Sequence, residues 1–167
     1  MPCWPWPSWR NRTPLVPVLD ASAPALAIGY AIGRIGCQLA GDGDYGVPTE
    51  LPWGMAYPNG VVPTLEKVHP TPVYETLGGL LLFGILWKMP RSMQRPGLAF
   101  CLYLVWAGSA RFLVEFIRLN PRVLWGLTAA QLISLGLIGI GGIWGSWLLM
   151  RSAPDAEYEL AKRTVKG

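Results

Sequence analysis

The sequence predicts an all-α integral membrane protein: a bundle of about four transmembrane helices with an irregular outer loop. Three observations predict it. The 167-residue chain is 51% hydrophobic and only 14% charged, with nine Trp, so water alone would solvate it poorly. Four stretches of roughly 20 weakly charged residues are each long enough to cross about 30 Å of hydrocarbon as a helix. The segments between them are alternately rich and poor in Lys and Arg, the alternation that the positive-inside rule requires.

The predicted helices cover about 20–40, 72–87, 97–117 and 128–150. The first holds Arg34, the second Glu75 near its start, and the third Arg111 and Glu115. The fourth has no charge at all. Gly29 with Gly33, and Gly141 with Gly145, have the small-xxx-small spacing that lets helix backbones approach closely. Residues 1–19 form an atypical amino-terminal segment rich in Trp and Pro, and 151–167 form a tail. Residues 41–71 are the outer loop, which Pro48, Pro52, Pro58, Pro63 and Pro70 keep from becoming helical. Trp53 and Tyr57 are suited to anchoring this lid at headgroup level.

Arg10 and Arg12 precede the first helix, Lys88, Arg91 and Arg95 fill the second connection, and Arg151, Lys162, Arg163 and Lys166 follow the fourth helix. The outer loop instead carries Asp42, Asp44, Glu50 and Glu66 against Lys67. Both termini are therefore expected in the cytoplasm and the 41–71 loop outside. Topology accounts for the net charge of +4, so nothing here calls for nucleic acid. Cys3, Cys37 and Cys101 have neither metal-ligand nor disulfide-framework spacing. Cys37 lies one helical turn from Arg34, but a thiol in apolar surroundings is more often an inert filler than a nucleophile.

A guanidinium inside hydrocarbon is expensive and is kept where a fixed positive charge has a use. Arg34 lies six residues from the outer end of its helix and Arg111 seven residues before Arg118, so both fall about 9–10 Å below the outer surface at ~1.5 Å per residue. Arg111, Glu115 and Arg118 recur at i, i+4 and i+7, one helical face, where Glu115 can orient either arginine. With so few acids nearby, positive charge is expected in excess at headgroup depth. A lipid phosphate is the natural partner, because the planar arginine fork binds it with two prongs. An ion network that only fixes helix packing is the alternative.

Five blocks stand in order: "GRIGCQLAGDGDYG" from Gly33 with "VPTELPWGM" after it, "HPTPVYE" at His69 to Glu75, "ARFLVEFIR" at Ala110 to Arg118, and "LTAAQLISL" at Leu127 to Leu135. In this order they resemble the carboxy-terminal part of bacterial prolipoprotein diacylglyceryl transferases over about residues 21–150. The resemblance implies a multi-pass enzyme of the bacterial inner membrane. Such an enzyme moves the diacylglyceryl group of phosphatidylglycerol to the lipobox cysteine in a prolipoprotein signal peptide, and uses no metal or other cofactor. By motif, Arg34 and Arg111 match the family's essential arginines, with Glu115 and Arg118 orienting them. His69, Tyr74, Glu75 and Asp42 join the implied substrate-binding set at the loop boundary.

The sequence also departs from the family pattern. Cys37 stands where the family usually has Asn, Ala107 where it usually has Tyr, and the "GDGDYG" stretch is longer and more acidic than the usual form. The resemblance further implies three helices and a thiol-activating histidine motif ahead of the matching part. A half bundle would expose an inner face, so self-association or a membrane-protein partner is expected. The alternative to an enzyme is a catalytically silent module that binds anionic lipid through the same arginines.

Overall fold

A computed structural model describes residues 15–89, 95–118 and 120–150. Among these, four helices form two antiparallel pairs: α1 (Leu15–Ala40) with α2 (Thr71–Trp87), and α3 (Leu98–Val114) with α4 (Ala129–Met150). The pairs join where α3 packs on both α1 and α2. Two helices, α1 and α4, are long and apolar enough to cross a membrane, while α2 and α3 are shorter apolar helices of 17 residues, at the lower limit for a span of about 17–25 residues.

The buried core is made of small or slim residues, chiefly Ala23, Ala27, Ala31, Leu82 and Cys101, while Leu39, Trp87 and Ile143 are more than 70% exposed. Large apolar side chains facing outward around a core of small ones suit lipid as solvent, where close backbone approach replaces the hydrophobic drive between helices. Ala27 and Ala31 press on Gly79 of α2, and Gly141 meets the Cys101 carbonyl and Leu104 of α3. Gly145 also faces Cys101, so the second glycine pair packs as its spacing predicts. Gly29 and Gly33 do not: a Cβ on either would meet nothing within 4 Å, and the alanine stripe of α1 makes the contact instead.

Gly108 of α3 is tightly seated, since a Cβ there would lie 2.9 Å from both the Ser134 carbonyl oxygen and Ile138 of α4. Gly108→Val should therefore destabilise the detergent-solubilised protein by about 1–3 kcal/mol. Gly139→Ala, pointing into open space, should leave the denaturation midpoint unchanged or higher, because alanine is the better helix former.

The ends of the elements differ from the sequence expectation for identifiable reasons. Helix α1 starts at Leu15, five residues before the expected charged boundary at Asp20. Asp20 does not end the helix because its carboxylate accepts the backbone N–H groups of Gly97 and Phe100. It thus caps α3 from a neighbouring helix, where the positive end of the dipole favours it. Arg95 donates to the carbonyls of Leu148 and Leu149 at the opposite, negative end of α4. Helix α4 opens on a capping box: the Gln131 N–H donates to Thr128 Oγ1 at 3.2 Å, and Gln131 Oε1 accepts the Thr128 N–H at 3.0 Å.

Helix α3 ends at Val114 rather than near 117. Past it, the chain turns so that the Ile117 carbonyl accepts the Val47 N–H and Arg118 bridges to Gly46. The outer loop is accordingly less irregular than expected. It contains an antiparallel pair, β1 (Met55–Tyr57) and β2 (Thr64–Val68), that fits between the prolines at 52, 58, 63 and 70: these residues bar helix but leave short unbroken runs for strands. A second small hairpin, β3 (Arg122–Leu124) and β4 (Leu127–Thr128), turns through Trp125 and Gly126, both at positive φ. Tyr57 faces inward, stacked on Tyr45 with its hydroxyl donating to Gln38, whereas Trp53 stays mostly exposed. Residues 1–14, Arg91 and the 151–167 tail, on which much of the charge alternation rests, lie outside the described residues.

Candidate functional site: an arginine and carboxylate cluster

The second turn of α2 points Glu75 into the space between α1 and α3, where its side chain is only 1% exposed. Arg34 Nε lies 3.1 Å from Oε2 and Arg111 Nη1 3.2 Å from Oε1. The Tyr30 hydroxyl donates to Oε1 at 2.6 Å. Arg118 approaches Oε2 at 3.8 Å. The two arginines placed at equal depth by helix arithmetic thus reach the same carboxylate.

Two further acids complete the cluster. Asp44, from the turn after α1, bridges Arg34 and Arg118. Glu115 pairs with Arg111 at 3.2 Å and accepts from the Asn120 amide at 2.6 Å. Among the described residues three guanidiniums therefore face three carboxylates, and the positive excess expected from the sequence is absent. The expectation counted only neighbours along α3, whereas Glu75 and Asp44 come from other parts of the chain. Glu115 is the cap of α3 and Arg118 lies in the following turn, so the i, i+4, i+7 face is not one continuous helical stripe. Charge balance does not saturate the hydrogen bonding: Glu75 Oε2, Glu115 Oε2 and Arg118 Nη1 are buried without a well-aligned partner among the described residues.

Arg34, Arg111 and Glu75 form the polar wall of a cavity of about 290 Å³ whose other walls include Leu82, Trp106 and Leu137. Trp106 is fixed there by donating to the Gly78 carbonyl at 3.1 Å. The Tyr30 ring, also in the lining, stacks 5.1 Å from the Arg34 guanidinium, a cation–π contact within the usual ~6 Å reach. Ala107, where the family resemblance leads one to expect Tyr, lines the same cavity.

The remaining sequence candidates lie elsewhere. His69 and Tyr74 form a separate polar group at the loop boundary: the Tyr74 hydroxyl is 3.2 Å from His69 Nδ1 and accepts from Trp53 Nε1 at 2.8 Å. Neither His69 nor Tyr74 makes an ion pair or hydrogen bond to the three arginines. Asp42 is exposed and accepts the Asp44 N–H at 3.2 Å, so it shapes the turn while Asp44 meets the guanidiniums. Cys37 comes within 3.7 Å of Arg34 Nη1 and is half-buried.

Sequence reasoning passed over Asp44 and Tyr30. Spacing says nothing about Asp44, ten residues beyond Arg34 and across a turn. Tyr30 did leave a trace, since an aromatic one helical turn before Arg34 shares its face.

Burial works against ionisation of Asp44, but the Arg118 and then the Arg34 guanidinium outweigh it and hold the carboxyl below its ordinary 3.8. A depressed folded-state value stabilises the fold above the unfolded value and ceases to do so as pH falls through the folded one. The difference in thermal midpoint between wild type and Asp44→Asn should therefore be constant from neutral pH down to about 5 and shrink below about 4. A difference unchanged at pH 2.5 would show that the ion pairs contribute nothing.

The family model described as prolipoprotein diacylglyceryl transferase matches residues 3–148, reaching into the segment that inspection set apart as atypical. A phosphatidylglycerol–prolipoprotein diacylglyceryl transferase of Prochlorococcus marinus is 36% identical over 167 aligned positions, covering 88% of this chain and 54% of the relative. That of Clostridium tetani is 39% identical, covering 79% of this chain and 53% of the relative. That of Pseudomonas fluorescens is 35% identical, covering 89% and 57%. The chain thus spans about half the length of the curated relatives it matches. No solved structure matches it. On the extent of the family match and the identity to these relatives, the chain belongs to the prolipoprotein diacylglyceryl transferase family.

Proposed function

We propose that the cluster binds the phosphate of phosphatidylglycerol and that the chain takes part in transferring its diacylglyceryl group to the lipobox cysteine of prolipoproteins. One observation carries this: guanidiniums from α1 and α3 converge on the polar wall of a cavity that is otherwise largely apolar. Such a cavity offers fixed donors to a phosphate and hydrocarbon to an acyl chain.

In this reading all four helices span a bacterial inner membrane, with both termini in the cytoplasm and the loop bearing β1 and β2 on the outer side. Arg34 and Arg111 face the phosphate from the cavity wall, with Arg118, which shares Glu75 Oε2 and Asp44 with Arg34, next to them. Glu75 and Glu115 set their rotamers. The thiol sulfur bonds to the glycerol carbon as the carbon–oxygen bond to phosphate breaks. The electron pair leaves on the phosphate oxygen, and the thiol proton is released to water, because glycerol phosphate is largely dianionic at neutral pH. Fixed guanidiniums stabilise charge growing on the leaving oxygens, and removing one such donor typically costs about 10²–10³ in rate.

The test is expression in cells depleted of their own transferase, following diacylglyceryl-modified lipoprotein by its mobility shift. Wild type should restore modification and Arg111→Ala should not. If wild type restores none, while phosphatidylglycerol binding persists and is lost in Arg34→Ala, the enzyme reading fails and a lipid-binding module remains.

A further inference from the structure

The balanced charge of the cluster poses a problem for any phosphate that is to bind there. Adding an anion to three guanidiniums already matched by three carboxylates gains little unless a carboxylate withdraws. The three acids are not equally able to do so. Glu75 and Glu115 have side chains 1% and 0% exposed, whereas that of Asp44 is 28% exposed. Glu75 is also held by Tyr30, and Glu115 by Asn120.

We propose that Asp44 is a built-in substitute for the phosphate: its carboxylate bridges Arg34 and Arg118 and swings out to solvent when a phosphate takes over the guanidiniums. The inference rests on the phosphate-binding reading above and deepens it.

The backbone at this turn is pinned on both sides. The Thr71 hydroxyl donates to the Asp44 carbonyl, the Gly46 N–H donates to the His69 carbonyl at 2.9 Å, and Asp42 holds the Asp44 N–H. The exchange is therefore a side-chain rotation on a fixed turn, not an opening of the outer loop. It conserves charge, since the incoming phosphodiester replaces one negative group with another. It also presents new acceptors to Arg118 Nη1, a buried donor without an aligned partner among the described residues. The Arg118 side chain is only 8% exposed, so no bulk water relieves that deficit.

A pre-occupied site lowers apparent affinity by the fraction of molecules in which it stands open. Asp44→Asn, which keeps shape but loses the charge, should bind phosphatidylglycerol in nanodiscs about tenfold more tightly than wild type, measured against phosphatidylcholine discs. Glu66→Gln, an exposed acid of the same outer loop, changes net charge equally and should bind as wild type does. Soluble glycerol phosphate added to phosphatidylcholine discs separates capture of a lipid from capture of a phosphate monoester. Tighter binding of either in Asp44→Asn supports the exchange, and a response to phosphatidylglycerol alone assigns the position to the lipid.

Unchanged or weaker binding in a folded Asp44→Asn protein would overturn the exchange. Should that variant not fold, carbodiimide labelling of Asp44 in wild type decides: phosphatidylglycerol should raise the labelling rate several-fold, and an equal or lower rate refutes the swing. A wild type with no preference for phosphatidylglycerol, unaffected by Arg111→Ala, would instead defeat the phosphate-binding reading itself.

Discussion

Glu75→Ala is expected to be the most damaging single substitution in the bundle, lowering stability by about 3–5 kcal/mol, the usual penalty for removing one member of a buried ion network. Glu75 faces Arg34, Arg111 and Arg118 and accepts from Tyr30. Its loss leaves three guanidiniums with two carboxylates around a position that is itself nearly closed to water. Mutual repulsion would then drive α1 and α3 apart, because they supply the cations and α2 supplied the acid between them. The midpoint of denaturant unfolding in detergent measures this. Glu75→Gln should fall between wild type and Ala, since its amide oxygen still accepts one donor while its NH₂ opposes the guanidiniums. A Glu75→Ala protein as stable as wild type would mean that the cluster is solvated and does not hold the helices together.

Arg34→Lys should abolish most activity and lipid binding, by about 10²–10³, while leaving the helices intact. Arg34 directs Nε to Glu75 and Nη1 to Asp44, two acceptors on different elements, and its planar group lies against the Tyr30 ring. An ammonium is a single point charge without a fork, so it can satisfy one acceptor at a time. Activity in the depleted cells and phosphatidylglycerol binding in nanodiscs should fall together, with little change in unfolding midpoint. Arg122→Ala, at an exposed strand position outside the ion pairs of the cluster, should change neither. Wild-type behaviour from the lysine variant would show that charge alone suffices and that two-pronged binding is not used.

The apolar stretches of α1, α2, α3 and α4 were legible because hydrophobicity over some 20 residues is a local property, little altered by what lies nearby. That Arg34 and Arg111 could meet was legible for a similar reason: helical rise converts sequence position directly into height along a helix. Charge accounting along one helix failed, since the acids that answer Arg34 and Arg118 arrive from a turn and from another helix. The early start of α1 was hidden because Asp20 reads as a helix boundary, although its carboxylate is used by the amino end of α3. The strands within the outer loop differ from the irregular loop expected, because the five prolines that bar helix still leave room for short strands.

The sequence by itself determined an apolar helical chain, two arginines at matching heights on separate helices, and the ordered motifs that mark its family. These follow from composition, rise per residue and residue order, none of which requires knowing how helices meet. Only the tertiary structure decided that Glu75 lies among three guanidiniums, that Asp44 rather than Asp42 closes the cluster, and that His69 stands apart from it. The physical reason is range. Ion pairing depends on side-chain atoms coming within about 4 Å, and which groups do so is set by the packing of α1, α2 and α3 and by the turn pinned between them.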